Sequence, residues 1–92
     1  MYLEIVSPEA VLFRGEVTSV TGPGVIGEFQ MLTNHAPIVS ILQEGEVKIQ
    51  GDIQIDEEYR DRFTNDSNGK TILHINSGTI ELNDNKLIVL AD

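Results

Sequence analysis

The clearest pattern in the chain lies between residues 46 and 56. Val47, Ile49, Ile53 and Ile55 share one parity, while Glu46, Lys48, Gln50, Asp52, Gln54 and Asp56 occupy the other. Alternation with a period of two places one apolar face on a core and one charged face in water, as in a half-buried strand. Gly51 falls inside the run and is expected to act as a bulge or bend dividing it into two pieces. Shorter apolar runs surround it. Tyr2 to Val6 alternates and is ended by Ser7-Pro8-Glu9. Ala10 to Phe13 is closed by Gly15, and Glu16 to Thr21 is stopped by Gly22-Pro23-Gly24. Phe29 to Leu32 and Ile38 to Leu42 follow as strand candidates.

Asp56 to Lys70 is almost wholly polar. Tyr59 and Phe63 are four residues apart there, as are Glu58 and Arg62, so one helical turn fits. Asn68-Gly69 is a hairpin-turn signal. Thr71 to Asn76 resumes as a strand, Gly78 interrupts, and Ile80 and Leu82 lead into a tight turn at Asn83-Asp84-Asn85 before Leu87 to Leu90. No stripe with a 3.6-residue period runs anywhere, and there is no repeat or low-complexity tract. Eight to ten short strands with frequent turns predict an all-β sandwich or barrel.

Composition narrows this picture. Ninety-two residues give one domain with one modest core, and with no Trp that core must rest on Val, Ile and Leu. Fifteen acidic residues against six basic ones give a formal net charge of -9, which disfavours nucleic acid and anionic lipid and favours partners with basic loops. The absence of cysteine removes disulfides and thiolate metal sites. No apolar run approaches the ~20 residues that span a bilayer, and Met1 leads directly into strand-like sequence without a leader's charged and apolar regions.

Candidate chemistry concentrates in Gly22 to Gly45, which packs Gly, Pro, Asn, one carboxylate and one histidine between apolar residues and reads as a shaped contact surface. Catalysis is poorly supported. Neither histidine belongs to a zinc-binding helical motif, and His74 falls within a strand, where an ordinary structural histidine is the simpler reading. His35 precedes Ala36-Pro37, which holds it on an extended loop, with a structural and a binding role both open. Gly22, Gly24 and Gly27 lack the Lys-Ser/Thr ending and the following helix of a phosphate loop. Glu28, flanked by glycine, reads as solvated. The acidic residues Asp56, Glu57, Glu58 and Asp61 lack the spacing of a calcium loop and read as a solvated face.

The order of the pieces is nevertheless distinctive. GEFQMLTNHAPIVSILQEG closely resembles the signature of the epsilon subunit of F-type ATP synthases, G-E-x-G-I-L-P-x-H-A-P followed by an apolar stretch and Pro-Gly. LEIVSPEAVLFRGEV is similar to the family's opening, a strand, then Ser/Thr-Pro, then Phe-x-Gly, and INSGTIELNDNKLIVLAD resembles its S-G-G-x-x-E-V and V-T-V-L-A-D blocks. Gln30, Thr33 and Thr79 depart from the family's Gly, Pro and Gly, which puts two loop backbones in question but not the fold. Gly51 to Lys70 is longer than the family's connecting hairpin and is expected to be an insertion within the single domain of residues 1–92, lengthening two strands or adding an exposed lobe.

The resemblance implies a flattened β-sandwich of about ten strands. The family's C-terminal helical hairpin is expected to be absent, because the sequence stops at Asp92 where the sandwich ends. It further implies a non-catalytic rotor subunit, one copy per complex, with no cofactor and no metal. Such a subunit joins the gamma subunit to the polar loops of the membrane c-ring in a proton-driven enzyme. Localisation would be peripheral, on the cytoplasmic face of a bacterial inner membrane. By position, Glu28 with Ile26, Gly27 and Phe29 would face the c-ring, where an Arg of the ring loops is the natural partner. His35, Ser40 and Ser7 would lie against gamma. Two other readings stay open: a free-standing β-sandwich binding module using the Asp56 to Lys70 lobe, and, least supported, a small hydrolytic or metal enzyme using His35, His74 and nearby carboxylates.

Overall fold

The computed structural model describes residues 1–92 and contains ten strands and one short 3-10 helix. The strands are β1 (Tyr2–Val6), β2 (Val11–Glu16), β3 (Ser19–Gly24), β4 (Gly27–Leu32), β5 (Ile38–Leu42), β6 (Gly45–Gln50), β7 (Phe63–Asn65), β8 (Thr71–Ile75), β9 (Gly78–Asn83) and β10 (Lys86–Ala91). The helix spans Glu57–Arg62. The hydrogen-bonded order is β2-β1-β10-β9-β5-β3-β6-β8-β7, with β4 on the other side of β3. The single curled sheet therefore has two arms of five strands, β2-β1-β10-β9-β5 and β4-β3-β6-β8-β7, joined where Gly24 of β3 meets Leu42 of β5. All pairings are antiparallel except β1 with β10, whose ends come from opposite termini of the chain.

Period-two patterning makes this architecture. Leu3 and Ile5 of β1, Leu87 and Val89 of β10, and Ile80 and Leu82 of β9 are buried, as are Val47 and Ile49 of β6 on the other arm. They belong to one core of 19 residues fed by both arms, the arrangement of a β-sandwich. The core is aliphatic apart from Phe13 and Phe63. Removal of a fully buried Leu or Ile side chain from such a core costs about 2–5 kcal/mol.

Turn chemistry sets the connections. Asp84 and Asn85 both adopt positive φ (51° and 61°) and join β9 to β10 as a two-residue loop of the kind whose twist suits a hairpin. Between β7 and β8, Asp66 accepts at Oδ1 from the N–H groups of Asn68 (2.9 Å) and Lys70 (2.9 Å), and Gly69 takes φ +80°. The expected helical turn is present as the 3-10 helix, capped by Asp56, whose Oδ1 accepts from the Glu58 N–H at 3.0 Å. Tyr59 packs its ring against the core from this helix, and Phe63 is buried at its end.

Several boundaries differ from the sequence expectation. The alternating run does not make two strand pieces: the ladder stops at Gln50, and Ile53 and Ile55 pack against the core from a segment without strand pairing. Gly15 does not close β2, which continues through it to Glu16. Most instructive is Gly22-Pro23-Gly24, which is strand and not a stop, paired residue by residue with Phe29, Glu28 and Gly27 of β4. A Cβ on Gly24 would lie 2.8 Å from the Phe29 ring and 2.9 Å from the Gly27 carbonyl oxygen, and one on Gly22 would lie 3.2 Å from the Leu42 side chain. Gly24 lets the Phe29 ring lie against the strand, and Gly22 leaves room for the Leu42 side chain.

Candidate functional site

The first candidate surface is the hairpin between β3 and β4. Gly24 and Gly27 form its last pair, and Gly27, at φ +124°, brings the chain back out of a turn consisting of Val25 and Ile26 alone. Both side chains are exposed, Ile26 completely. Two large apolar groups at the tip of a hairpin have nothing of their own chain to pack on. Glu28 follows within β4, not in a loop, and its parity turns it outward with Gln30 and Leu32. Phe29 and Met31 have the opposite parity, Met31 buried and Phe29 packed against the core. Of the four residues expected at this surface, Ile26, Gly27 and Glu28 are presented at its end, whereas Phe29 supports it from below.

Glu28 is not free in solvent. Its Oε2 lies 2.9 Å from the Lys48 ammonium, which reaches across from β6. The hydrogen bond to Glu28 and then the attraction of its charge hold the Lys48 pKa above that of an ordinary lysine, with smaller help from Glu46 and Asp66.

The second candidate surface is the outer face of β10, β9 and β5. Cross-strand registers align Leu90, Thr79 and Ile41 in one row and Ile88, Glu81 and Val39 in the next. Val39, Ile41 and Leu90 are 77%, 64% and 50% exposed, an unusual state for three neighbouring branched aliphatic residues on one sheet. A groove of about 470 Å³ lies at the end of this face, with Val6, Pro8, Ile41, Thr79 and Leu90 among its walls. Ser7 also lines it but is buried, its hydroxyl accepting from the Ala10 N–H (3.3 Å) and placed to donate to the Ala10 carbonyl (3.2 Å). Ser7 thus closes the β1–β2 turn and borders the groove. Ser40 is half-buried on the inward parity of β5, next to the exposed side chains of Val39 and Ile41.

His35 is exposed on the loop between β4 and β5. Three contacts fix that loop: the His35 N–H donates to the Leu32 carbonyl (3.0 Å), the Asn34 N–H donates to Asn85 Oδ1 (2.9 Å), and His35 Nδ1 lies 2.6 Å from the Ala36 carbonyl. Since a carbonyl only accepts, Nδ1 carries the proton in this contact. His74 instead lies 3.8 Å from Glu44, so the two histidines have separate surroundings. No three His, Cys, Asp or Glu side chains are placed to hold a metal ion, and Asp56 of the acidic cluster is engaged as a helix cap. No helix is long and apolar enough to cross a membrane.

Val39, Ile41 and Leu90 were not singled out by the sequence reading, although a signal existed. IVSIL in β5 and LIVL in β10 are apolar on both parities. Strands of that kind are normally covered on both faces; here the outer face is uncovered.

Comparison with known proteins places this chain in a family. A family model for the β-sandwich domain of the ATP synthase delta/epsilon chain matches residues 1–92. The ATP synthase epsilon chain of Chlorobium limicola is 34% identical over 90 residues, covering 98% of this chain and 86% of that protein. The epsilon chain of Campylobacter curvus is 35% identical over 92 residues, but this chain spans only 60% of its length. Among solved structures, a chain of the Tetrahymena thermophila mitochondrial ATP synthase central stalk and c-ring superposes with a TM-score of 0.75 at 13% identity, covering 99% of this chain and 62% of that one. A chain of the Euglena gracilis mitochondrial ATP synthase gives 0.73 at 18%, covering 97% and 48%. At such identities these two likenesses establish the fold.

Proposed function

The chain belongs to the ATP synthase delta/epsilon-chain β-sandwich family, and from that premise we propose that it acts as a non-catalytic subunit of the synthase's central rotor, joining the gamma subunit to the membrane c-ring. The family match over the whole of residues 1–92 carries this reading. Two separate exposed apolar surfaces support it, since an adaptor between two partners needs two contact regions. The outer face of β5, β9 and β10, with Val39, Ile41 and Leu90 at its centre, is the gamma-binding side. Ser7 borders its groove, His35 lies on the loop entering β5, and Ser40 supports the face from the inward side of β5. The β3–β4 hairpin, carrying Ile26, Gly27 and Glu28, is the ring-facing side.

Mechanically the subunit transmits torque and does no chemistry. A curled sheet with a shared core resists shear, so the two contact regions cannot slide past one another without breaking ladder hydrogen bonds. Gamma binding draws on burial of the outer aliphatic face, where each fully covered Val, Ile or Leu contributes about 1.5–3 kcal/mol. The net charge of -9 disfavours direct contact with anionic lipid and suits basic partner loops. The protein would therefore reach the membrane only through the ring, on its cytoplasmic side.

Co-purification with the matching gamma subunit tests this. Ile41→Asp and Leu90→Asp change exposed positions, so the fold should persist by circular dichroism while gamma is lost. Retention of gamma by both folded variants would refute the assignment of this face.

A further inference from the structure

The ion pair holds Glu28 back from the hairpin tip. Glu28 stands opposite Pro23 of β3, whereas Lys48 stands opposite Thr21, two residues farther from the turn and on the strand beyond β3. The 2.9 Å contact therefore draws the carboxylate across the outer face of β3, away from both the turn and the unpaired edge of β4. Lys48 is the more sheltered partner, 29% exposed against 54% for Glu28. Thr21, Gln30 and Lys70 line the same shallow depression. What remains at the tip is Val25 and Ile26, with no charge on either.

We propose that this hairpin meets its partner through Val25 and Ile26 first, and that Lys48 sets the strength of the contact by competing with the partner's cation for Glu28. This rests on the reading of the hairpin as the ring-facing surface. A partner fitting the geometry presents an apolar hollow that takes Ile26, with a cationic side chain beside it. A carboxylate already joined to an ammonium offers an incoming cation a dipole and not a full charge, and the two cations repel across it. Exchanging one charge-assisted hydrogen bond for another gains little. Burying the tip's apolar side chains requires no such exchange. In the wild-type protein the apolar pair thus supplies the affinity, and Glu28 contributes fully only when Lys48 is removed. Lys48 is in this sense a specificity-determining residue: it keeps the hairpin from binding any cationic surface through Glu28 alone.

The test is a double-mutant cycle on the full chain, binding the host's gamma–c-ring subcomplex in lipid nanodiscs, with thermal unfolding of each variant as the folding control. Ile26→Ser should weaken binding about tenfold or more. Lys48→Met should tighten it by about two- to fivefold and steepen its salt dependence. Glu28→Gln should weaken binding less in the wild-type background than after Lys48→Met, where it abolishes the gain. Lys48→Gln provides a second neutral variant should the methionine destabilise the sheet. Tighter binding with a salt slope that depends on Glu28 supports the proposal. Weaker or unchanged binding on loss of Lys48, or an equal effect of Glu28→Gln in both backgrounds, overturns it while leaving the hairpin as the ring contact. If Ile26→Ser, Glu28→Gln and Lys48→Met all bind like wild type, the ring-facing assignment itself fails.

Discussion

Gly78 begins β9 and is the residue whose replacement the fold should tolerate least for its size. It pairs with Ala91 of β10 on one side and Leu42 of β5 on the other, so β9 cannot shift there without opening one ladder. A Cβ at Gly78 would stand 2.4 Å from the Leu90 carbonyl oxygen, about 1 Å short of an ordinary contact. The obstacle is backbone, which cannot swing aside as a side-chain end can. Overpacking of this kind costs about 1–3 kcal/mol. Against it stands a gain of about 0.4–1 kcal/mol, because alanine has less freedom than glycine to lose on folding. The clash wins, leaving Gly78→Ala destabilised by about 1–2 kcal/mol. A domain of this length has about 5–14 kcal/mol in total, and each kcal/mol moves its midpoint by about 4–8 °C. Thermal unfolding followed by far-ultraviolet circular dichroism should therefore show a midpoint about 5–15 °C lower. Gly27→Ala is the informative control: it carries strain at φ +124° but meets no atom within 4 Å, which separates backbone strain from collision. A Gly78→Ala protein as stable as wild type would refute the reasoning. Because Gly78 also lines the groove beside Ile41 and Leu90, the same variant should weaken gamma binding.

Other expectations follow from the same geometry. Asn85 combines a positive φ of 61° with a side chain that accepts from the Asn34 N–H. Asn85→Gly should keep the turn but release the loop bearing His35, seen as faster hydrogen exchange at the Asn34 amide; unchanged protection would contradict that tie. Asn85→Ala should add strain and lose about 1 kcal/mol or more in urea unfolding. The Tyr59 phenol is held above its ordinary pKa of 10.0, first by burial and then by the Glu58 charge, a weaker hydrogen bond to Glu58 and the Asp56 charge. Lys48 is likewise raised above its ordinary 10.5. In both cases the folded state holds the proton more tightly than the unfolded chain, so the stabilisation is complete below the ordinary pKa and is lost as pH rises through the raised one. The urea midpoint should fall as pH rises from below these ordinary values to above the raised ones, and Tyr59→Phe should flatten part of that fall. An identical slope in Tyr59→Phe would remove Tyr59 from the explanation.

Much of this fold is legible in the sequence because period-two alternation is a local property. Val47 with Ile49, and Leu87 with Val89, announce which side of the sheet is buried before any partner strand is known. Asn83-Asp84-Asn85 and Asn68-Gly69 announce their turns, since few residues adopt positive φ without strain. What could not be read depends on contacts between strands. Gly22-Pro23-Gly24 has the composition of a turn, and only the Phe29 ring against Gly24 and the Leu42 side chain against Gly22 explain why those glycines sit within a ladder. Glu28 reads as a solvated carboxylate because Lys48, twenty positions later, comes within reach only when β6 pairs with β3. The three exposed aliphatic residues at Val39, Ile41 and Leu90 are a different case. Their strands are apolar on both parities, the pattern of strands covered on both faces, and one face of them is left uncovered by this chain.

The absence of cysteine makes the central claim open to one direct measurement. Single cysteines placed at Ile26 and at Ile41, each carrying a photoactivatable cross-linker, would be assembled into the host synthase and irradiated. Mass spectrometry would then identify the captured chains. The account predicts that residue 26 captures the c-ring subunit and residue 41 captures gamma, in the same complexes. Capture of the reverse partners, or of neither in fully assembled enzyme, would contradict it.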